Sequence, residues 1–98
     1  MSDATRPAAR PTVLIDNERT RVTEWRFAPG AATGWHRHEM DYVVVPIGDG
    51  RLRIVTGPGE ESVAELRNGV PYFRAAGVEH DVINASDAEY AFVEVEFK

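Results

Sequence analysis

Short β-prone segments separated by glycine- and proline-containing turns run along nearly the whole chain. The turns at Pro29-Gly30, Gly48–Gly50 and Gly57–Gly59 separate runs rich in β-branched and aromatic residues, and Asn68-Gly69 is a strong hairpin signal. No segment repeats apolar residues with the helical period of about 3.6 residues over ten or more positions. About eight strands at this spacing predict an all-β sandwich or barrel.

Two of the predicted strands are the most distinctive. Residues 42–47 are almost entirely apolar, and the closing segment, residues 90–97, alternates valines with Glu94 and Glu96, which is the two-residue period of a strand. The other predicted strands cover residues 12–16, 21–28, 51–56, 62–66, 71–75 and 79–85. The chain is therefore predicted to be β-structured from residue 12 to its end.

The length and composition are those of one globular domain. With 98 residues the chain can bury a modest core, so association between copies would add stability. The hydrophobic share of 43% and the charged share of 28% are those of a folded protein rather than a disordered one. We predict a flexible N-terminal arm over residues 1–11, which contain Pro7 and Pro11, and a single domain over residues 12–98.

Composition also excludes several functions. The chain has no cysteine, which rules out disulfides, thiolate metal ligands and a catalytic thiol. No stretch approaches the roughly 20 apolar residues of a transmembrane helix, and the N-terminus lacks the apolar segment of a secretory signal, so we expect a cytoplasmic protein without a membrane partner. The net charge is −5 and the arginines are dispersed singly, so no nucleic-acid partner is expected.

Three histidines are the candidate metal ligands. His36 and His38 are two residues apart beside a β-prone run, and side chains at i and i+2 of a strand share a face about 7 Å apart. Two imidazoles so placed can bind one metal ion. His80 follows in another β-prone segment, although spacing alone does not show that it returns to the pair. Imidazole ligands suit Fe(II), Mn, Ni, Cu or Zn.

Two spaced motifs resemble those of the cupin superfamily. Residues 30–38 read G-x5-H-R-H, like the first cupin motif, and residues 69–84 read G-x5-A-A-G-x2-H-x3-N, like the second. The strongest local likeness is to small cupins of β-alanine degradation, in W-H-R-H-x-x-D-Y-V-V-V and Y-F-R-x-x-G-V-E-H-D-V-I-N. The resemblance implies a jelly-roll β-barrel, or double-stranded β-helix, that holds a divalent metal ion through His36, His38 and His80.

The chain departs from the cupin pattern at one ligand position. Most cupins carry a glutamate ligand four residues after the second histidine, where this chain has Tyr42. Strand parity puts Tyr42 on the face of the histidines, whereas Asp41 could reach inward only through a β-bulge. Three neutral histidines with open positions resemble the centres of thiol and diketone-cleaving dioxygenases, which use Fe(II). We predict that Tyr42 assists catalysis by hydrogen bonding to a bound substrate or oxygen species, with direct ligation of the metal by its phenol as the alternative.

Three classes of function remain open from the sequence. The first is an Fe(II) oxygenase that acts on a small carboxylate, amino-acid-derived or diketone-like substrate. The second is a non-redox isomerase or hydrolase-like enzyme in which Glu79 or Asp81 serves as base, although both have the opposite strand parity to His80. The third is a non-catalytic small-molecule-binding or sensor protein. Iron is the expected metal, with Zn, Mn, Ni or Cu as alternatives.

Apolar residues on the outward face of the predicted barrel suggest self-association. Parity points Trp35, Val43 and Val45 away from the histidine face. An apolar outer face is stable in water when another surface covers it, so we expect a homodimer.

Overall fold

The structure, a computed structural model that describes residues 6–98, contains nine β-strands in two facing sheets. No described residue lies in a helix, so none belongs to a helix that could cross a membrane. The strands are β1 (Arg10–Asp16), β2 (Thr20–Phe27), β3 (His36–Arg37), β4 (Asp41–Ile47), β5 (Gly50–Gly57), β6 (Glu60–Leu66), β7 (Tyr72–Arg74), β8 (Glu79–Asn84) and β9 (Tyr90–Phe97). The predicted all-β class is confirmed.

The two sheets have a jelly-roll arrangement. One sheet has the order β1-β2-β9-β4-β7 and the other the order β3-β8-β5-β6, and every named pair is antiparallel. Every successive pair of strands changes sheet except β1–β2 and β5–β6, which are hairpins within one sheet. The inner faces of the two sheets therefore enclose one interior, as the predicted jelly-roll β-barrel requires.

The first strand begins at Arg10, two residues before the start expected from the sequence. Ala9 is buried and donates a backbone hydrogen bond to the Ala32 carbonyl (2.9 Å), and Ala32 in turn donates to the Pro7 carbonyl (3.0 Å). Pro11 is accommodated because β1 is an edge strand, where a missing N–H costs no ladder bond. Within the expected N-terminal arm, residues 1–5 lie outside the described part of the chain.

The hydrophobic core lies between the sheets. Phe27, Val44 and Leu52 are at most 2% exposed, and the ring of Phe27 packs on that of Phe92 with centroids 5.4 Å apart. Gly50 lies directly against the Tyr90 ring, so a Cβ at this position would collide with it. This close packing fixes the strands that carry the candidate site.

Candidate metal centre

The structure brings the three histidines together at a cavity between the sheets. The Nε2 atom of His38 lies 3.0 Å from Nε2 of His36 and 3.1 Å from Nε2 of His80. His38 is 6% exposed and His80 9% exposed, while His36 is half-buried. The return of His80 to the histidine pair, which sequence spacing did not show, is thus a property of the fold.

The pairing of β3 with β8 explains this convergence. His36 lies directly opposite His80 in the antiparallel register, which places their Cα atoms about 4.5–5.5 Å apart. The loop around Gly77 continues the pairing, since the His38 amide donates to the Val78 carbonyl and the Gly77 amide donates to the His38 carbonyl, both at 2.8 Å. Gly77 has φ +102°, a left-handed value that favours glycine.

Hydrogen bonds orient the His36 ring. Its Nδ1–H donates to the Gly34 carbonyl (2.8 Å), which leaves the Nε2 lone pair directed at the other histidines. The Thr33 hydroxyl lies 3.3 Å from the same Nδ1 and is itself held by the Val82 amide (3.1 Å). Partners of this kind fix the tautomer and ring orientation of metal-binding histidines.

Burial keeps two of the imidazoles neutral. Loss of hydration lowers the pKa of both His38 and His80 to about 4, and the neighbouring His36 adds to the effect. Both rings are therefore deprotonated at pH 7. A neutral imidazole is the form that binds a metal ion, so no proton has to be displaced from these two residues.

The donor set fits one transition-metal ion. At a metal–nitrogen distance of about 2.1 Å, neighbouring ligands are about 3.0 Å apart in an octahedron and about 3.4 Å apart in a tetrahedron. The two Nε2 separations of 3.0 and 3.1 Å match the octahedral value. The three histidines form a group that could hold a metal ion. Neutral nitrogen donors suit first-row transition metals.

Tyr42 lines the same cavity, on the face that strand parity predicted. Its ring stacks on that of His38, with centroids 4.0 Å apart and planes inclined by 20°. Burial, reinforced by the charge of Glu94, raises the pKa of the Tyr42 phenol well above its usual value. The hydroxyl therefore stays protonated and can donate a hydrogen bond.

Asp41 is not brought to the histidines. The register between β4 and β9 runs without interruption, so no bulge turns Asp41 inward. Its carboxylate instead accepts a hydrogen bond from the Ala76 amide at 2.8 Å, on the exposed side of the sheet. The alternative in which Asp41 replaces the usual glutamate ligand is wrong for this structure.

The two acidic neighbours of His80 also lie away from the cavity. Glu79 is exposed and pairs across the strands with Arg37. Asp81 is buried, but it accepts a hydrogen bond from the Gly34 amide (3.1 Å) and does not line the cavity. The strand parity that counted against both residues as bases is confirmed.

Two glutamates line the cavity, Glu65 and Glu94, and of these Glu94 lies near His38. Glu94 is 8% exposed, and ligand atoms of His38, Glu94 and Glu96 lie within 4.8 Å of one another. Burial, together with the charge of Glu96, raises the pKa of Glu94 to about 7. Sequence reasoning missed this residue because the alternation in β9 fits either face. Only the pairing of β9 with β4, the strand of Tyr42, shows that Glu94 and Glu96 point inward.

The cavity is large enough for a small organic molecule. Its volume is about 610 Å³, and its walls include the apolar side chains of Trp25, Ile54 and Phe92. Arg74 also lines it, with its guanidinium 4.6 Å from the centroid of the Tyr72 ring. The cavity thus combines a histidine cluster, an apolar wall and two arginines, Arg67 and Arg74.

Comparison with known proteins places this fold and site in a family. The profile of the cupin domain family matches residues 23–96, which include all three histidines and Glu94. The chain belongs to the cupin family, as the two motifs indicated.

Individual relatives agree with this assignment. The chain is 60% identical to the β-alanine degradation protein BauB of Pseudomonas aeruginosa over 93 residues. This alignment covers 95% of the chain and 97% of the relative. A cupin domain of Bordetella pertussis is 58% identical, with a TM-score of 0.91 over 96% of this chain and 97% of that one. The likeness to the small β-alanine degradation cupins is confirmed.

A more distant structure shares the fold alone. The polyketide cyclase RemF of Streptomyces resistomycificus superposes with a TM-score of 0.71 at 23% identity, over 95% of this chain and 69% of its own. The same barrel thus occurs in proteins of different sequence, and function has to be argued from the site.

Proposed function

We propose that this cupin is an Fe(II)-dependent oxygenase that acts on a small carboxylate, amino-acid-derived or diketone-like substrate. The observation that carries the proposal is the convergence of three histidine nitrogens on one cavity, with protonated Tyr42 at the β4 position where most cupins carry a glutamate. Three protein ligands leave positions on an octahedral ion for substrate and dioxygen. A bound iron ion would supply the redox chemistry and the binding site for dioxygen.

The residues around the histidines would position the substrate. The Tyr42 hydroxyl would donate a hydrogen bond to a substrate oxygen, since the raised pKa keeps its proton in place at neutral pH. The rings of Trp25 and Phe92 would exclude water from the apolar side of the cavity. These roles need no movement of the strands, because all three side chains already line the cavity.

Arg74 supports an acidic substrate. Its guanidinium lies near enough to the site to act on three of its side chains. It opposes the rise in the pKa of Tyr42 and Tyr72 that burial causes, and it adds to the lowering of the pKa of His80. A guanidinium binds carboxylates through paired hydrogen bonds. The name of the relative BauB, a β-alanine degradation protein, supports small amino-acid-derived acids as the first substrates to test.

Oxygen consumption by the iron-loaded protein tests this function. Wild-type protein should consume dioxygen with at least one member of a panel of β-amino acids, short keto acids and β-diketones. The Arg74→Gln variant should raise KM by about 10-fold or more for the acids and leave neutral diketones unaffected. The Arg37→Gln variant is the matched control, because Arg37 is exposed on β3 and does not line the cavity. No oxygen uptake with any substrate would contradict the proposal.

A non-redox isomerase or hydrolase-like function is the second candidate. Glu94 favours it, because a buried carboxyl group with a pKa of about 7 is suited to proton transfer at neutral pH. This residue would replace Glu79 and Asp81 as the base. Turnover by the zinc- or nickel-loaded protein without oxygen would favour this function over the first. Saturable ligand binding with no turnover under either condition would favour a binding protein.

We also propose that the chain forms a homodimer through the outer face of the five-stranded sheet. Five apolar side chains follow one another across all its strands, in the cross-strand row Ile15, Val22, Val95, Val43 and Phe73. Ile15 is 50% exposed and Phe73 54%. The five strands are three to eight residues long, and at about 3.3 Å per residue and about 4.8 Å between strands they give a face of about 500 Å². A partner in a standard interface buries about 800 Å².

A further inference from the structure

Glu94 is a buried residue whose carboxyl group has no partner among residues 6–98. Glu94 is 8% exposed, and its side chain lines the histidine cavity. Across residues 6–98 no hydrogen bond or ion pair involves its carboxylate. Buried polar groups in folded proteins have partners in the great majority of cases. An unpaired carboxylate that faces a cavity therefore points to a ligand.

The position of β9 in the sheet explains how this carboxylate reaches the histidines. β9 lies between β2 and β4, with Glu94 directly opposite Thr23 on one side and Val44 on the other. The next inward residue of β9, Glu96, lies opposite Tyr42, whose ring stacks on His38. Strand β9 thus presents carboxylates beside the β4 position where the usual cupin glutamate is missing.

Glu94 approaches the candidate metal centre at His38. Ligand atoms of His38 and Glu94 lie within 4.8 Å of each other. At a metal–ligand distance of about 2.1 Å, two ligands of one octahedral ion are separated by about 3.0 Å in neighbouring positions and by about 4.2 Å in opposite ones. Glu94 forms no such group with His36 and His80, so binding of the same ion requires its carboxylate to move toward them by rotation about its side-chain bonds.

The charge balance of the cavity favours a cation next to Glu94. A buried carboxylate without a compensating charge costs several kcal/mol, and such groups are paired or bind metals. No positively charged side chain of residues 6–98 forms an ion pair with Glu94. Three neutral histidines would leave a divalent ion with its full charge, which one carboxylate would halve.

We propose that Glu94 supplies the carboxylate ligand of the metal centre, from β9 instead of from β4. This inference rests on the metal site of the proposed function and adds a fourth protein ligand to it. Glu94 takes the role of the glutamate that most cupins carry on β4, at the position that Tyr42 occupies in this chain. Tyr42 remains free to contact the substrate. The centre then contains three histidines and one carboxylate, with two positions left on an octahedral ion.

Glu96 provides a matched control. It lies two residues further along the same face of β9, and its carboxylate belongs to the same cluster, but it is less buried and does not line the cavity. Glu94→Gln and Glu96→Gln remove the same charge from the same strand. A difference between the two variants therefore reports ligation rather than general attraction of the ion.

Titration with Co²⁺ tests the assignment without measuring activity. The metal-free wild type, Glu94→Gln and Glu96→Gln are titrated, and the dissociation constant and the visible absorption of the bound ion are recorded. Glu94→Gln should weaken binding by about 10- to 100-fold and alter the absorption bands, because one ligand changes from an anionic to a neutral oxygen. Glu96→Gln should keep the wild-type spectrum and bind within about threefold of wild type.

Each other result counts against the assignment. Wild-type affinity and spectrum in Glu94→Gln would overturn Glu94 as a ligand while leaving the histidine site intact. Equal weakening in both variants, with unchanged spectra, would also overturn it, because it would show attraction without ligation. A wild-type protein that binds no stoichiometric Co²⁺ would overturn the histidine centre and the Glu94 assignment together.

Discussion

The two ends of β9 distribute polar and apolar side chains between the faces of the five-stranded sheet in opposite ways. In antiparallel sheets with one covered face, apolar residues point inward and polar residues outward. Here β9 turns Glu94 and Glu96 toward the interior, while Val93 and Val95 point outward and remain partly exposed. The reversal is local, because Tyr90 and Phe92 of the same strand face inward and are buried.

This reversal separates the part of the sheet that stabilises the fold from the part that forms the site. Phe92 packs on Phe27 in the core, whereas Glu94 lies beside the histidines without a partner among residues 6–98. A buried carboxylate lowers stability unless a ligand compensates it. The two proposals account for both features, the inward glutamates through metal binding and the outward valines through a dimer interface.

The largest effect is expected from a charge on the outer face. Val43 lies at the middle of the apolar row, between Val95 and Phe73. Val43→Lys would bury an unpaired charge in the proposed dimer and should weaken association by about 100-fold or more. Light scattering coupled to size-exclusion chromatography should then give the mass of a single chain, about half that of the wild type.

Val63→Lys is the control for this variant. Val63 is 57% exposed on β6, in the other sheet, so its substitution should leave the mass unchanged. A wild type that is monomeric at all concentrations would show that the outer face is not a dimer interface.

A smaller effect should distinguish two neighbouring valines of β4. Val44 faces inward and is 2% exposed, whereas Val45 faces outward and is half-buried. Val44→Ala should lower the free energy of unfolding by about 2 kcal/mol, since it leaves a cavity in the core. Val45→Ala should cost less than about 1 kcal/mol when measured on the monomer. Urea unfolding of both variants in the Val43→Lys background gives the comparison, and equal losses would contradict the assignment of the two faces.

The smallest effect concerns how stability changes with pH in the metal-free protein. His38 and His80 have folded pKa values of about 4, below their ordinary value of 6.5, so their contribution to stability is lost as the pH falls from 6.5 toward 4. The contribution of Glu94 to stability changes with pH in the opposite direction. Its folded pKa of about 7 lies above its ordinary 4.5, so its contribution is complete below pH 4.5 and lost as the pH rises through 7.

Glu94→Gln isolates the second contribution. Burial, together with the charge of Glu96, raises the pKa of Glu94. Tyr42 and His38 also lie next to Glu94, and the substitution changes none of these three neighbours. The melting temperature of the metal-free variant, relative to wild type, should be higher at pH 8 than at pH 5 by about 4 °C or more. A difference that does not vary with pH would show that Glu94 is not buried as an unpaired carboxylate.

Much of this fold could be predicted from the sequence, because the strands and turns depend on local patterns. The apolar run of residues 42–47 forms β4 as predicted. The hairpin predicted at Asn68-Gly69 is wrong, because a turn lies there but β6 and β7 on its two sides belong to different sheets. The two histidine motifs identified the family and the candidate ligands. Parity correctly placed Tyr42 inside, since side chains alternate strictly along an unbroken strand.

The remaining features depend on pairing between distant strands, which local patterns do not contain. The alternation of Val93 and Val95 with Glu94 specifies a strand but not which face is buried. The partial burial of the N-terminal segment depends on Ala9 meeting Ala32 across the barrel. For the same reason, Glu94 could be recognised as a site residue only after β9 was placed beside β4.

The metal content of the protein purified from its own host tests the central claim most directly. Elemental analysis of wild type should give about one transition-metal ion per chain, and His80→Ala should retain less than about a tenth of that. Glu79→Ala, which removes an exposed neighbour on the same strand, should retain the full amount. A wild type without bound transition metal, or equal metal in wild type and His80→Ala, would contradict a metal centre at the three histidines.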